Sequence, residues 1–268
     1  MATGTTETQQ EQVAAAARKL SLELIAEYDT GLPVPASYGW AGGVNIWQVR
    51  PGLWRMGRNH WVTANGWAEA AADGVGTNVD LRTAAELPPR PHDPPAVADS
   101  PVQVLHKPLE DPQKPEYLNL CERESIPYPN APKYYAPLLE WFGPRITTVL
   151  NHIAEAERGV VINCSAGRDR TGLISTLTLL LGGASDEEIL GVHAASCAGI
   201  NAWHVVSNRP HPYEYGRAGK DYRDWLNQHV DQLAEFLQQA RGMDFPGMLL
   251  AVGLTEENLQ RLGERTTH

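Results

Sequence analysis

A single stretch decides the fold, Val160-Val161-Ile162-Asn163-Cys164-Ser165-Ala166-Gly167-Arg168-Asp169-Arg170-Thr171-Gly172. It opens with a short apolar run, which is typical of a strand buried in a parallel sheet. Small and polar residues follow, and a helical apolar pattern begins at Thr171 and continues to Leu181. The stretch therefore predicts a strand, a tight turn and a helix, with Cys164 where the strand ends and Arg170 where the helix begins.

Strands and helices alternate on both sides of this unit. Pro51-Gly52 lies between two short apolar runs and predicts the turn of a hairpin. The other predicted strands cover residues 76–81 and 102–106, and the predicted helices cover 13–28, 64–73, 134–156, 171–181, 186–196, 222–241 and 255–262. This alternation predicts an α/β protein with a central, mostly parallel sheet of about four to five strands, flanked by helices on both faces.

Proline-rich stretches and chain length indicate the domain organisation. Residues 86–101 and 108–132 are crowded with proline and predict loops, the second of which is long enough to form a lid over a site. A chain of 268 residues suits one enlarged domain better than two. We therefore expect a polar tail and an amphipathic helix over residues 1–30, followed by one domain over residues 31–268.

Charge and cysteine content exclude several classes of function. The 22 basic and 32 acidic residues leave a formal charge of -10, which disfavours general binding to nucleic acids and anionic membranes. No apolar run approaches the roughly 18 residues that suggest a membrane span, and the first residues lack the pattern of a signal peptide. The expected location is the cytoplasm. Three scattered cysteines provide neither a disulfide framework nor a CxxC metal site, so no metal or cofactor is expected.

The turn between the predicted strand and helix has the composition of an anion-binding site. Successive backbone N–H groups and the positive end of the helix dipole favour a bound anion and a thiolate at Cys164. The planar guanidinium of Arg170 is suited to hold two phosphate oxygens, which a lysine ammonium cannot do bidentately. Gly167 lets the backbone curl closely, and Thr171 can donate a hydrogen bond to the sulfur as a phosphocysteine breaks down.

The spacing Cys-x5-Arg from Cys164 to Arg170, followed by Thr171-Gly172, resembles the active-site loop of the cysteine-dependent protein tyrosine phosphatase superfamily. Residues 45–55 and 77–82 resemble the opening hairpin and first sheet strand of its atypical, dual-specificity-like branch. Within that branch, the loop is most similar to that of bacterial tyrosine and lipid phosphatases, which reads G-K-D-R-T-G. The resemblance covers about residues 44–198 and implies a tyrosine-phosphatase-like fold and a metal-independent cysteine phosphatase.

The resemblance also implies roles for the loop residues. Cys164 would be the nucleophile, with Arg170 and Thr171 as its catalytic partners. The residues that would bind the substrate phosphate are Ser165, Ala166, Gly167, Arg168 and Asp169. Two residues depart from the family pattern, because Asn163 precedes the nucleophile where histidine is usual and Arg168 replaces a more common lysine. The first departure bears on stabilisation of the thiolate and the second on substrate preference.

Three aspartates are candidates for the general acid that protonates the leaving group. Asp111 is preferred, because its proline-flanked loop follows a strand and could swing over a bound substrate. Asp169 lies inside the phosphate loop, where a bound dianion would require its carboxyl to be protonated, turned away or paired with a cation. Asp80, at the end of a buried strand, is expected to support the site by pairing with Arg82 or capping a turn. His106 is expected to be structural.

The favoured function is a phosphatase of the tyrosine or dual-specificity type that works through a phosphocysteine, with a phosphorylated protein or a small phosphoester as substrate. Phosphoinositides and phosphorylated metabolites are alternative substrates for the same chemistry. A sulfurtransferase would also place a reactive cysteine in an anion-binding loop, but it does not require Arg170-Thr171-Gly172. A phosphate-binding pseudophosphatase is a further alternative, which the retention of Cys164 and Arg170 disfavours.

Overall fold

A five-stranded sheet forms the centre of the computed structural model, which describes residues 6–207, 209, 211 and 213–265. The strands are β1 (Trp47–Arg50), β2 (Leu53–Met56), β3 (Val75–Asp80), β4 (Gln103–His106) and β5 (Gly159–Asn163). Their order across the sheet is β1-β2-β5-β3-β4, and only the β1–β2 hairpin is antiparallel. The predicted hairpin and the predicted mostly parallel sheet are therefore confirmed.

Helices cover both faces of this sheet. The helices of the described residues are α1 (Glu7–Glu27), α2 (Ala64–Ala72), α3 (Pro115–Glu124), α4 (Tyr135–Glu155), α5 (Asp169–Leu181), α6 (Asp186–Ser207), α7 (Gly219–Arg241), α8 (Phe245–Ala251) and α9 (Glu256–Arg265). Successive residues of β5 point to opposite faces, as the pleat requires. Ile162 packs in one cluster with Leu177 of α5, and Val161 packs in a second cluster with Trp67 of α2. The predicted covering of both faces is confirmed.

The N-terminal helix α1 packs along α6. Ala17 of α1 lies in a buried cluster with Trp203, and Leu24 lies in another with Ala198. The helix begins earlier than the apolar pattern predicts, because Thr6 and Gln9 form a reciprocal capping box at its first turn. The predicted N-terminal segment is thus packed against the domain that follows it, and the boundary at residue 30 stays a prediction.

The second proline-rich stretch contains a helix that the sequence pattern did not indicate. Pro115 occupies the first turn of α3, where a missing N–H costs no hydrogen bond. Tyr117 and Leu120 then bury one face of the helix in the core. The prediction of a loop throughout residues 108–132 was therefore wrong, because proline begins this helix instead of interrupting it. Helix α4 is kinked at Phe142, two residues before Pro144, as predicted.

Helix α6 extends beyond its predicted end to Ser207. Among the described residues it is the one helix whose length and apolar composition would suit a membrane span. However, 78% of its most apolar stretch is buried inside the protein. Such burial is typical of a core helix, which must be apolar on all sides to pack against its neighbours.

Candidate active site

The phosphate loop, defined here as residues 164–170, lies where β5 ends and α5 begins. Strands β2, β3, β4 and β5 are parallel, so their carboxyl ends share the edge of the sheet where ligands bind in such folds. Cys164 is buried at the floor of the loop, whereas Ser165 and Ala166 are partly exposed at its mouth. The structure therefore places the predicted nucleophile at the buried base of the loop.

The carbonyl groups of the phosphate loop point outward, into the protein. Five consecutive carbonyls accept hydrogen bonds: Cys164 from Asn163 Nδ2 (3.2 Å), Ser165 from the Arg58 amide (3.1 Å), Ala166 from Asn45 Nδ2 (3.0 Å), and Gly167 and Arg168 from Arg55 Nη2 (2.8 and 3.1 Å). Because a peptide unit is planar and trans, each following N–H points the opposite way. The amides of Ser165, Ala166, Gly167, Arg168 and Asp169 thus converge on the concave side, which is the geometry of an anion-binding nest.

Gly167 is required by two features of this curvature. Its φ is +70°, a region that residues with a side chain rarely adopt. A Cβ at this position would also lie 2.3 Å from the carbonyl oxygen of Met56 in β2. Glycine therefore allows the loop to close against the neighbouring strand.

Arg55 connects the hairpin to the phosphate loop. Its side chain is fully buried in β2, and burial lowers the pKa of its guanidinium from the ordinary value. We expect Arg55→Met to leave the carbonyls of Gly167 and Arg168 unpaired at a cost of about 1–3 kcal/mol. The variant should bind inorganic phosphate more weakly and unfold at a lower temperature than Arg50→Met, a matched change on the same hairpin. Unchanged phosphate affinity in Arg55→Met would show that the loop keeps its shape without this anchor.

The guanidinium of Arg170 lies between two carboxyl groups. Glu86 accepts from both terminal nitrogens, at 2.5 and 2.8 Å, and Glu110 Oε2 lies 3.8 Å from Nε. Burial alone would raise the pKa of Glu86, but the hydrogen bonds and charge of Arg170 hold it down at about 2. Glu86 therefore fixes the orientation of the Arg170 guanidinium through its two terminal nitrogens. The edge that contains Nε faces Glu110.

Glu110 and Asp111 are neighbours that face different surroundings. Glu110 is 5% exposed, and burial raises the pKa of its carboxyl to about 7 against the charge of Arg170. Asp111 is 43% exposed, lies 3.3 Å from Arg145 Nη2 and accepts the amide of Gln113 as a turn residue does. Arg145 Nη1 also holds the carbonyl of Glu110 at 2.6 Å. The predicted role of Asp111 as general acid is not supported by this arrangement, which turns Glu110 toward Arg170 instead.

Arg168 pairs with its neighbour Asp169 and with Glu214, a carboxylate distant in sequence. Arg168 Nε lies 3.1 Å from Asp169, and its terminal nitrogens donate to Glu214 at 2.9 and 3.2 Å. The buried guanidinium also lies over the ring of Trp225. The prediction that Arg168 binds substrate phosphate is therefore not supported for its side chain, although its backbone N–H joins the nest. Burial raises the pKa of Asp169 against the opposing charge of Arg168.

A buried polar network supports the strand ends behind Cys164. Asn163 donates to Asp80 (3.1 Å) and accepts from Asn78 (2.7 Å), in addition to its bond to the Cys164 carbonyl. Asp80 is paired with Arg82 at 2.6 Å. Asp80 is thus placed as a supporting residue, as expected, and Asn163 positions the loop through its amide. His106 bonds the carbonyl of Arg82 and is structural in this arrangement, also as expected.

Thr171 is fully buried in the first turn of α5. Within the described ranges its hydroxyl has no hydrogen-bond partner, although a buried hydroxyl normally has one. The predicted donation to sulfur stays a prediction, and the hydroxyl is free to make it.

Several functional residues were not singled out from the sequence. These are Asn45, Arg55, Glu86, Glu110 and Glu214, which hold the loop or its arginines. One sequence signal was available for Arg55, because it stands between Trp54 and Met56 in a short apolar strand. An arginine in a buried strand needs internal acceptors, and loop carbonyls are among the few available.

A thiol at the floor of an amide-lined loop, with an oriented arginine at its rim, is an arrangement suited to bind an anion beside a candidate nucleophile. The model of the tyrosine phosphatase family matches residues 41–268, and the chain belongs to that family. A curated tyrosine-protein phosphatase from Nostoc commune is 30% identical over 139 residues, which are 47% of each chain, so the chain spans about half the length of that relative.

Two solved structures also match. One is TpbA of P. aeruginosa, with a TM-score of 0.41 and 16% identity over 84% of this chain and 98% of that one. The other is a cysteine-to-serine variant of TpbA in complex with pTyr, with a TM-score of 0.38 and 17% identity over 78% and 90%.

Proposed function

We propose that the protein is a phosphatase that hydrolyses phosphate monoesters, phosphotyrosine foremost, through a phosphocysteine intermediate. The observation that carries the proposal is the outward pairing of five consecutive loop carbonyls around Cys164, which aims five amides at one anion. Membership of the tyrosine phosphatase family supports the choice of phosphotyrosine. Dual specificity is part of the proposal and is tested below with phosphoserine.

The proposed reaction has two steps. The thiolate of Cys164 attacks phosphorus, the bond to the leaving oxygen breaks, and a carboxylic acid gives that oxygen its proton. The same carboxylate then takes a proton from water as the water oxygen attacks phosphorus, and the sulfur leaves as thiolate with the Thr171 hydroxyl donating to it. Arg170 and the loop amides stabilise the charge on the equatorial oxygens in both steps. The two steps together consume only the phosphoester and water.

Two carboxyl groups are suited to be the acid. Glu110 is preferred, because it lies beside Arg170 and a pKa of about 7 keeps much of it protonated at neutral pH. A phosphate dianion bound beside it would further favour the protonated form. Asp169 is the second candidate, since it opens α5 within the loop and burial raises its pKa.

We expect Glu110→Gln to lower kcat by about 10²- to 10⁴-fold for phosphotyrosine, the usual contribution of a general acid. The proton of a carboxyl with a raised pKa is present below that pKa and lost above it. The wild-type kcat/KM, which reports the groups of the free enzyme, should therefore fall as pH rises through about 7. The variant should lose this alkaline fall and should retain more of its rate on aryl phosphates with activated leaving groups. Full pH profiles of kcat/KM, with kcat determined at each pH, measure this on both substrates.

Asp111→Asn is the matched control for the Glu110 experiment, because it alters the adjacent carboxyl on the surface. It should keep both the rate and the pH profile. If Asp169→Asn lowers the rate and removes its alkaline fall, and Glu110→Gln does neither, the general acid lies in the phosphate loop. If only Asp111→Asn has these effects, the loop over residues 108–112 swings as the sequence predicts.

The test of the function as a whole is hydrolysis of phosphotyrosine, phosphoserine, phosphoinositide and sugar phosphates in EDTA, with no divalent cation added. Rapid release of phosphate from phosphotyrosine supports the proposal. Faster hydrolysis of phosphoinositides or sugar phosphates would assign one of these as the substrate class in place of phosphotyrosine. Binding without turnover would identify a pseudophosphatase. Thiocyanate formation from thiosulfate and cyanide would identify a sulfurtransferase. The cytoplasmic location stays a prediction.

A further inference from the structure

Three residues with metal-ligating atoms meet in the core behind the phosphate loop. His193 and Cys197 lie one turn apart on α6, so they project from the same face of the helix. His229 faces them from α7. Their ring nitrogens and sulfur lie within 4.8 Å of one another, and all three side chains are buried.

The two histidines of this cluster have unmet bonding capacity. Both ring nitrogens of His193 and Nδ1 of His229 lack a hydrogen-bond partner in the part of the chain that the structure describes. Buried ring nitrogens are normally paired, so three unpaired ones in a single place require an explanation. The rings are stacked with centroids 5.8 Å apart, and Trp225 packs against His229. Helix packing thus fixes the two rings while three of their four nitrogens have no partner among the described residues.

Charged side chains of both signs lie around the cluster. The charged groups that act on Cys197 are two arginines, Arg55 and Arg168, and two carboxylates, Asp169 and Glu214. Arg217 acts on His229 as a third arginine. A Cys197 thiolate together with the two carboxylates would match these three arginines in charge, so an ion with a thiolate ligand would not enter a strongly positive environment.

We propose that His193, Cys197 and His229 form a binding site for a d10 transition-metal ion, Zn²⁺ or Cu⁺. Two imidazoles and a thiolate are ligands that both ions accept, and neither ion demands the oxygen donors that the cluster lacks. Binding displaces the Cys197 proton to solvent, with the metal–sulfur bond replacing the sulfur–hydrogen bond. A three-coordinate site would suit Cu⁺. A four-coordinate Zn²⁺ would add a water or the Tyr135 hydroxyl, which is buried without a partner among the described residues.

The site is structural and adjoins the active site without belonging to it. A side chain at Gly172 of α5 would come 3.5 Å from His193 Nδ1 and closer still to the Tyr135 hydroxyl. A bound ion would therefore tie α6 and α7 together directly behind the start of α5. The proposal does not rest on phosphatase activity, and its test reads metal binding and stability.

The experiment uses the full chain without an affinity tag, reduced, stripped of metal with chelator and then titrated with Zn²⁺ or Cu⁺ against a competing indicator. We expect one ion per chain by elemental analysis and a higher unfolding temperature on loading. Cys197→Ser and His229→Asn should bind at least about 10-fold more weakly, since even outer-shell changes cost 10- to 100-fold in metal affinity. Cys121→Ser and His152→Asn are matched controls outside the cluster and should bind as the wild type does.

Cobalt provides a second readout that does not depend on how stable the variants are. Co²⁺ in the wild-type chain should give a thiolate charge-transfer band, and His229→Asn, which keeps the thiol, should weaken Co²⁺ binding. Circular dichroism verifies that each variant is folded. A chain that binds neither Zn²⁺ nor Cu⁺ above the level of folded Cys197→Ser, or that gives no thiolate band with Co²⁺, overturns the proposal.

Discussion

Replacement of Cys164 by serine should abolish phosphate release while leaving the backbone of the phosphate loop intact. A serine hydroxyl is a poor nucleophile at neutral pH without a dedicated base, so we expect kcat to fall by about 10⁴- to 10⁶-fold, the scale lost with a nucleophile. The amides that line the cradle are held from outside by Asn45, Arg55, Arg58 and Asn163. Inorganic phosphate should therefore still bind, as isothermal calorimetry can measure.

Cys121→Ser provides the matched control, because it makes the same chemical change at a half-buried thiol on α3. It should retain wild-type turnover. A second check is trapping of the phosphoenzyme, which should be seen after rapid acid quench of the wild type and not of Cys164→Ser. Substantial turnover by the serine variant would refute the phosphocysteine route, even if the family assignment stood.

Arg170→Lys should be nearly as damaging as loss of the side chain. Glu86 holds one edge of the guanidinium, so the other edge is oriented for two oxygens of a phosphoryl group. An ammonium keeps the charge but cannot make two parallel hydrogen bonds while paired with Glu86. We expect kcat/KM to fall by at least about 10²- to 10³-fold, the scale for one lost preorganised donor.

The stability of Arg170→Lys separates positioning from folding. Lysine can still pair with Glu86, so the variant should unfold at nearly the wild-type temperature. Arg123→Lys, on an exposed side chain of α3, is the matched control and should leave kcat/KM unchanged. Near-wild-type activity in Arg170→Lys would mean that the substrate anion binds elsewhere.

The central fold could be predicted because its signals are local. Residues 159–162 form a short apolar run of the kind that is typical of a buried strand, and Pro51-Gly52 marks a hairpin turn. Helix α3 was missed for a local reason as well, since proline at its first turn was interpreted as part of a loop. Sequence patterns identify where elements begin and how they alternate.

Of the candidate site, the sequence predicts only the residues that lie within the phosphate loop. Cys164, Arg170 and the nest residues are contiguous, so their spacing alone predicts them as one site. Glu86, Glu110 and Glu214 reach the loop from other segments, and no spacing rule relates them to it. The sequence favoured Asp111 and passed over Glu110 for the same reason, because which of two adjacent carboxyls turns inward is decided by Arg145 on α4.

The hairpin that holds the phosphate loop has a consequence for folding in the cell. Arg55 and Asn45 donate hydrogen bonds to phosphate-loop carbonyls that lie 112 and 121 residues later in the sequence. Contacts of such separation form late, because the intervening chain must be ordered before they stabilise anything. During synthesis, the segment that contains Cys164 thus emerges long after its anchors, and the cradle cannot assemble until the sheet has closed around β5. The proposed phosphate binding therefore requires the completed domain, and a nascent or partly unfolded chain would contain Cys164 without the loop geometry around it.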